Sequence, residues 1–115
     1  MKGEKILIDT SVWISYFQNR DALFTEGVEE ILTSSHVYVP KVVLAELIQG
    51  AKSETEISII EEFVEAFTIV DQTDDTWLGA GKLSFLMKKK GLTVHLIDCY
   101  IAVLANEHQC RLFSL

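Results

Sequence analysis

Apolar residues in this chain fall in short runs, and the runs alternate between two periods. Ile6, Leu7 and Ile8 form an unbroken branched stretch after Lys5. That pattern suits a short strand covered on both faces of a parallel sheet. Residues 10–18 follow with helical spacing, and Asp9 or Thr10 can cap the start. Asn19, Arg20 and Asp21 make a polar break. Over 23–33, Leu23, Val28, Ile31 and Leu32 share one side while Glu26, Glu29 and Glu30 share the other, which predicts a surface helix that Gly27 weakens slightly.

Val37, Tyr38 and Val39 predict a second strand, and Pro40, the single proline, ends it. Proline tolerates an early helical position, so a helix over 41–51 closing near Gly50 follows. Ser53 stands three residues before Glu56, the capping-box spacing, and opens a helix over 53–67. Its stripe is Ile57, Ile60, Phe63, Val64 and Phe67. Thr68, Ile69 and Val70 form a third strand. A long helix over 74–90 has Trp77, Leu78, Leu83, Phe85, Leu86 and Met87 as core candidates. Lys88, Lys89 and Lys90 suit the negative end of its dipole, and Gly91 suits the residue past its end. A last helix spans 98–108, and Arg111 starts a fourth strand. Short strands alternating with helices imply an α/β fold with a parallel sheet of about four strands. With no internal repeat or linker, one domain over 1–115 is the simplest account.

Composition narrows the function. Hydrophobic residues make up 49% of the 115, enough for a real core and too many for a disordered chain. Seventeen acids against ten bases give a net charge of −7, which argues against affinity from a broad cationic surface. It leaves room for a local grip on nucleic acid through a metal and a few lysines, and it suits a basic protein partner. Cys99 and Cys110 belong to no CxxC motif and read as reduced thiols. His95 with Cys99, and His108 with Cys110, match no familiar zinc spacing. Only a three-residue apolar run precedes Asp9, and no stretch approaches the ~20 needed to span a bilayer. The expectation is a soluble, cytoplasmic protein without a membrane partner. Lys88 to Lys90 read as a solvated helix end rather than an RNA guide, and Trp13, Tyr16 and Phe17 as core or interface aromatics.

The candidate chemistry lies in three lone carboxylates. Asp9 closes Ile6-Leu7-Ile8, Glu46 interrupts Val43-Leu44-Ala45 and Leu47-Ile48, and Asp98 separates Leu96-Ile97 from Cys99-Tyr100-Ile101. A carboxylate is rarely buried alone, because removing an ion from water is costly. Three beside apolar segments predict a shared acidic pocket, and such a pocket suits a hard divalent cation. Each has a plainer reading. Asp9 and Asp98 can be N-caps. Glu46 has Val42, Val43, Gln49 and Gly50 at helical contact spacing, hence no local base, yet it can sit on a wet face near Lys41 and Lys52.

Three segments, in order, carry a resemblance: Ile6 to Ile14, Val39-Pro40 through Val43 to Gly50, and Ile97 to Ala102. On these residues the chain resembles the PIN-domain nucleases, most closely the small VapC-type toxins of bacterial toxin–antitoxin pairs. The resemblance implies a PIN-like three-layer α/β/α fold and a metal-dependent endoribonuclease. Asp9, Glu46 and Asp98 match the family's metal-binding acids, with Mg2+ or Mn2+ as the cofactor. Ser11, with Thr10 beside it, matches a supporting position. An RNA substrate, a small antitoxin and a homodimer are also implied. The family adds a fourth acid just after a segment like Leu112 to Leu115, where this sequence stops. The site therefore works with three acids, or the chain is cut short of the fourth. Asp71, Asp74 and Asp75 match no motif and read better as exposed helix-start residues. A catalytically weak or inactive PIN-like protein-binding module is the alternative. A phosphohydrolase using Asp9 as nucleophile ranks last, because Ser11 stands where that chemistry wants a second Asp.

Overall fold

The computed structural model describes residues 3–115; Met1 and the early Lys2 lie outside the described residues. The elements run β1 (Lys5–Ile8), α1 (Thr10–Gln18), α2 (Ala22–Ser34), β2 (His36–Pro40), α3 (Lys41–Gln49), α4 (Glu54–Val64), β3 (Thr68–Val70), α5 (Thr76–Lys89), α6 (Leu96–Glu107) and β4 (Arg111–Phe113). The four strands form one parallel sheet in the order β3-β2-β1-β4. Leu7 stands opposite Tyr38 on one side and Leu112 on the other, so β1 is central and its branched run is buried. Helical crossovers carry β1 to β2 to β3 in one direction and then return beyond β1 to β4. The order reverses at β1, which is where open α/β sheets form ligand crevices.

Leu7, Ile8, Val39, Val43 and Leu104 make the centre of the core, all fully buried. Trp13 of α1 packs its ring on Phe17 (6.0 Å), Phe63 (5.7 Å) and Phe67 (5.7 Å), so the expected aromatic core cluster forms, and the expected stripe joins the core through Ile60, Phe63, Val64 and Phe67 but not Ile57. Among the described residues, no helix is long and apolar enough to cross a membrane. Both cysteines are free thiols, Cys99 buried in α6.

Several expectations need correction. Helix α4 stops at Val64 rather than 67, because Ala66 and Phe67 bond back three residues to Phe63 and Val64 and tighten the last turn. Ser53 caps α4 at Glu56 N, but Glu56 returns its carboxylate to Lys52 N instead of Ser53 N. Leu23 is exposed, leaving Val28, Ile31 and Leu32 to seat α2. The larger error concerns α5. Trp77, Leu78, Phe85 and Leu86 are exposed, whereas Thr76 and Ala80 are fully buried. Small residues let α5 lie close on α6: a Cβ on Gly79 would stand 3.1 Å from Val103 Cγ1. Size was read as burial there, while close approach required the opposite. Gly91 behaves as expected. Its φ of 81° is left-handed, and Gly91 N and Leu92 N bond to Lys88 O and Met87 O, closing a Schellman end.

Candidate active site

Asp9 follows β1 directly, at the carboxyl end of the central strand. Its extended backbone makes it the N-cap of α1, and its Oδ1 accepts hydrogen bonds from Ser11 N (2.6 Å) and Ser11 Oγ (3.0 Å). The other oxygen accepts from Ser114 Oγ just past β4. Asp9 N donates to Phe113 O at 3.0 Å, and Leu115 N donates to Ser11 Oγ at 3.2 Å. The two adjacent strand ends are thereby stitched around one carboxylate.

Glu46 lies on α3, half-buried, and its Oε1 accepts from Thr10 Oγ1 at 2.6 Å. Lys41 does not neutralise it, because Lys41 Nζ is paired with Asp71 at 3.0 Å. Asp98 is exposed on the first turn of α6. That helix begins at Leu96, with His95 as its N-cap, so the expected capping role of Asp98 does not occur. Among the described residues its carboxylate accepts no hydrogen bond. The positive end of the α6 dipole favours its charge.

Asp9, Thr10, Ser11, Glu46 and Asp98 line one cavity of about 600 Å3, with His95 and Ser114 on its wall. The sequence-predicted residues therefore come together, but not as buried ions: Asp9 and Glu46 are half-buried and Asp98 is open to water. Nor do they converge tightly. Among the described residues, no three His, Cys, Asp or Glu side chains form a ready metal-ligating group. Like charges repel at short range, and the hydroxyls of Thr10, Ser11 and Ser114 hold Asp9 and Glu46 separately. The donor set is nonetheless all oxygen on its acidic side, which fits a hard cation such as Mg2+ or Mn2+.

His95 and Ser114 were not anticipated in this site. The place just past β4 was legible, but as the seat of an acid rather than of a hydroxyl. His95 drew attention only through its spacing to Cys99, which is buried in α6. Asp71, Asp74 and Asp75 do not line the cavity. The hydrogen bond from Lys41 holds the Asp71 carboxyl below the usual carboxylate range. Nearby, Tyr100 stacks on Trp77 at 4.2 Å, and burial, then the charges of Asp71 and Glu107, push its phenol up. A separate cavity of about 520 Å3 between α2 and β4 includes the Arg111–Glu4 ion pair and none of the three acids.

A parallel α/β sheet with an acid-lined crevice at its reversal point defines the class. The PIN domain family model matches residues 6–115, and the chain belongs to that family. It is 30% identical to a VapC ribonuclease of Mycobacterium bovis, over 93% of this chain and 83% of the relative. It is 33% identical to ribonuclease VapC1 of Methanocaldococcus jannaschii, over 88% and 68%. The structure is similar to VapBC-1 of nontypeable Haemophilus influenzae, with a TM-score of 0.77, 25% identity and coverage of 96% and 85%. VapBC2 of Rickettsia felis, bound to a promoter DNA fragment, matches in fold at a TM-score of 0.78, 19% identity and coverage of 96% and 86%.

Proposed function

We propose that this chain is a metal-dependent endoribonuclease, the toxin of a type II toxin–antitoxin pair. The observation that carries the reading is the meeting of Asp9, Glu46 and Asp98 on one cavity at the carboxyl end of the central strand. Relatives named VapC ribonuclease over most of their length support the same activity. In this reading Asp9, Glu46 and Asp98 hold Mg2+ or Mn2+. The bound ion supplies an acidified water and offsets phosphate charge in an in-line displacement. The chain's own part is orientation: Ser11 and Ser114 fix both oxygens of Asp9, and Thr10 fixes Glu46. Asp98 stays free to turn toward an incoming cation.

The test is cleavage of a structured RNA with Mg2+ or Mn2+ by wild type and Asp9→Asn. The variant should lose more than roughly 100-fold, since even supporting partners of a metal ligand cost 10–100-fold. Equal cleavage by both proteins would sink the reading. A second reading, a PIN-like module without efficient catalysis, draws on the absence of a tight three-ligand group among the described residues. Partner binding that needs no metal, with no cleavage under either ion, would mark it.

Similarity to VapBC complexes supports a small antitoxin as partner. A second copy of the chain is the proposed cover for the outer face of α5. There Leu78, Phe85 and Leu86, at helical spacings of seven and eight, are 64%, 61% and 53% exposed. Sedimentation velocity should give a dimer that Phe85→Glu splits; a monomeric wild type at micromolar concentration would remove this assembly.

A further inference from the structure

The acid cavity has a neighbour of mixed charge, with Arg20 and Lys52 beside Glu46 and Glu56. A second cavity, about 390 Å3, shares Ile14 and Glu46 with it and extends along α1, α3 and α4. Arg20 and Lys52 stand on its wall. Both are carried on braced turns rather than on loose loops. Arg20 follows Asn19, whose left-handed backbone closes α1 with bonds from its N–H to Ser15 O and Tyr16 O. Lys52 lies between α3 and α4, where its N–H donates to Glu56 Oε2 at 3.1 Å. That contact occupies the one other acid on this wall, Glu56, with a backbone partner.

The head groups of Arg20 and Lys52 are not spent. The ion pairs among the described residues are Lys41–Asp71 and Arg111–Glu4, and neither Arg20 nor Lys52 takes part. Both side chains are exposed and open to a ligand, on a wall that shares Glu46 with the acid cavity. A polyanion entering this crevice meets three carboxylates. A bound cation offsets charge at the scissile phosphate only, so phosphates along the strand require cations of the protein. Lys88, Lys89 and Lys90 line neither cavity, and Lys41 is already paired.

We infer that Arg20 and Lys52 are positioning residues that hold backbone phosphates of the RNA strand on the Glu46 side of the cleavage site. The inference rests on the endoribonuclease reading and adds the direction in which the strand leaves the acids. Phosphate contacts of this kind are blind to base sequence and sensitive to salt.

The test compares wild type, Arg20→Gln/Lys52→Gln and a control, Lys88→Gln, that removes a cation outside both cavities, on single-stranded RNA oligonucleotides of different sequence. The double variant should raise KM roughly tenfold on every sequence, with kcat within about twofold of wild type. Each phosphate contact on a single strand contributes about 0.7 to the salt slope, so the slope should fall by about 1.4. Lys88→Gln should change neither. A double variant matching wild type or the control in KM and slope would overturn the inference. Binding is read in parallel by fluorescence anisotropy of labelled RNA, in the Asp98→Asn background with and without the double substitution. If wild type cleaves nothing, the nuclease reading fails; loss of salt-dependent RNA affinity on removing Arg20 and Lys52 still supports the contact, and unchanged affinity overturns it. Weakened binding of a partner protein's acidic segment with RNA affinity unchanged would also overturn it. Circular dichroism melts of the variants identify any loss that comes from misfolding.

Discussion

Two adjacent hydroxyls divide the support of the acids. Ser11 bonds Asp9 within its own helix start, an ordinary cap that any strand-to-helix turn can make. Thr10 reaches across to α3 and bonds Glu46. The first contact was legible in sequence because donor and acceptor are two residues apart. The second was not, since it depends on where α3 packs. Asp98 was half legible: its place by the cavity followed from the strand–helix order, but its freedom from capping depends on α6 starting at Leu96, which no side-chain pattern marks. Thr10→Val keeps the shape and removes the donor, so Glu46 loses its orientation. Mn2+ affinity should fall roughly tenfold, the lower range for a supporting partner of a ligand. Thr10→Ser should restore most of it. Titration calorimetry decides: full affinity in the Val variant would show that Glu46 needs no such hold.

At the scale of elements, strands were the easiest to read and α5 the hardest. The bounds of β1 and β3 agree with their branched runs, although only β1 is flanked by strands on both sides; β3 is an edge strand with Ile69 exposed. In α5 the position was right and the buried face only partly so: Leu83 packs on the core, but the helix seats itself on α6 with Thr76, Gly79 and Ala80. Thr76 is the key to that seat. Its hydroxyl donates to Glu107 Oε1 at 2.7 Å and accepts from Thr73 N at 2.9 Å, joining the start of α5 to the end of α6. Thr76→Val preserves volume and removes both bonds, while Thr73 and Glu107, which are exposed, turn to water. It should cost about 1 kcal/mol in urea unfolding, the net range for an ordinary hydrogen bond. A change under about 0.5 kcal/mol would mean that packing of the small residues alone holds the two helices.

For the whole molecule, the parallel topology delivers acids from the end of β1, from α3 and from α6 to one side, so the proposed metal binding would be linked to folding. The acids are near one another only in the native state, and an ion that binds the native state alone stabilises it by mass action. At 100 times its dissociation constant the gain is about 2.7 kcal/mol, or roughly 10 °C in Tm for a domain of this size. Mn2+ should therefore raise the melting temperature of wild type by that order, and EDTA should reverse it. Asp98→Asn removes one of the three proposed ligands without disturbing a hydrogen bond, because its carboxylate makes none among the described residues. Its metal-free melt should stay close to that of wild type, since relief of one charge in a strongly acidic molecule offsets the loss of a favourable charge at the start of α6. Its response to Mn2+ should shrink to a small fraction. The measurement needs no RNA and no cleavage, so it reads the ion site apart from the nuclease activity. An equal shift in both proteins would place the ion elsewhere on the acidic surface and leave the three carboxylates without a common ligand.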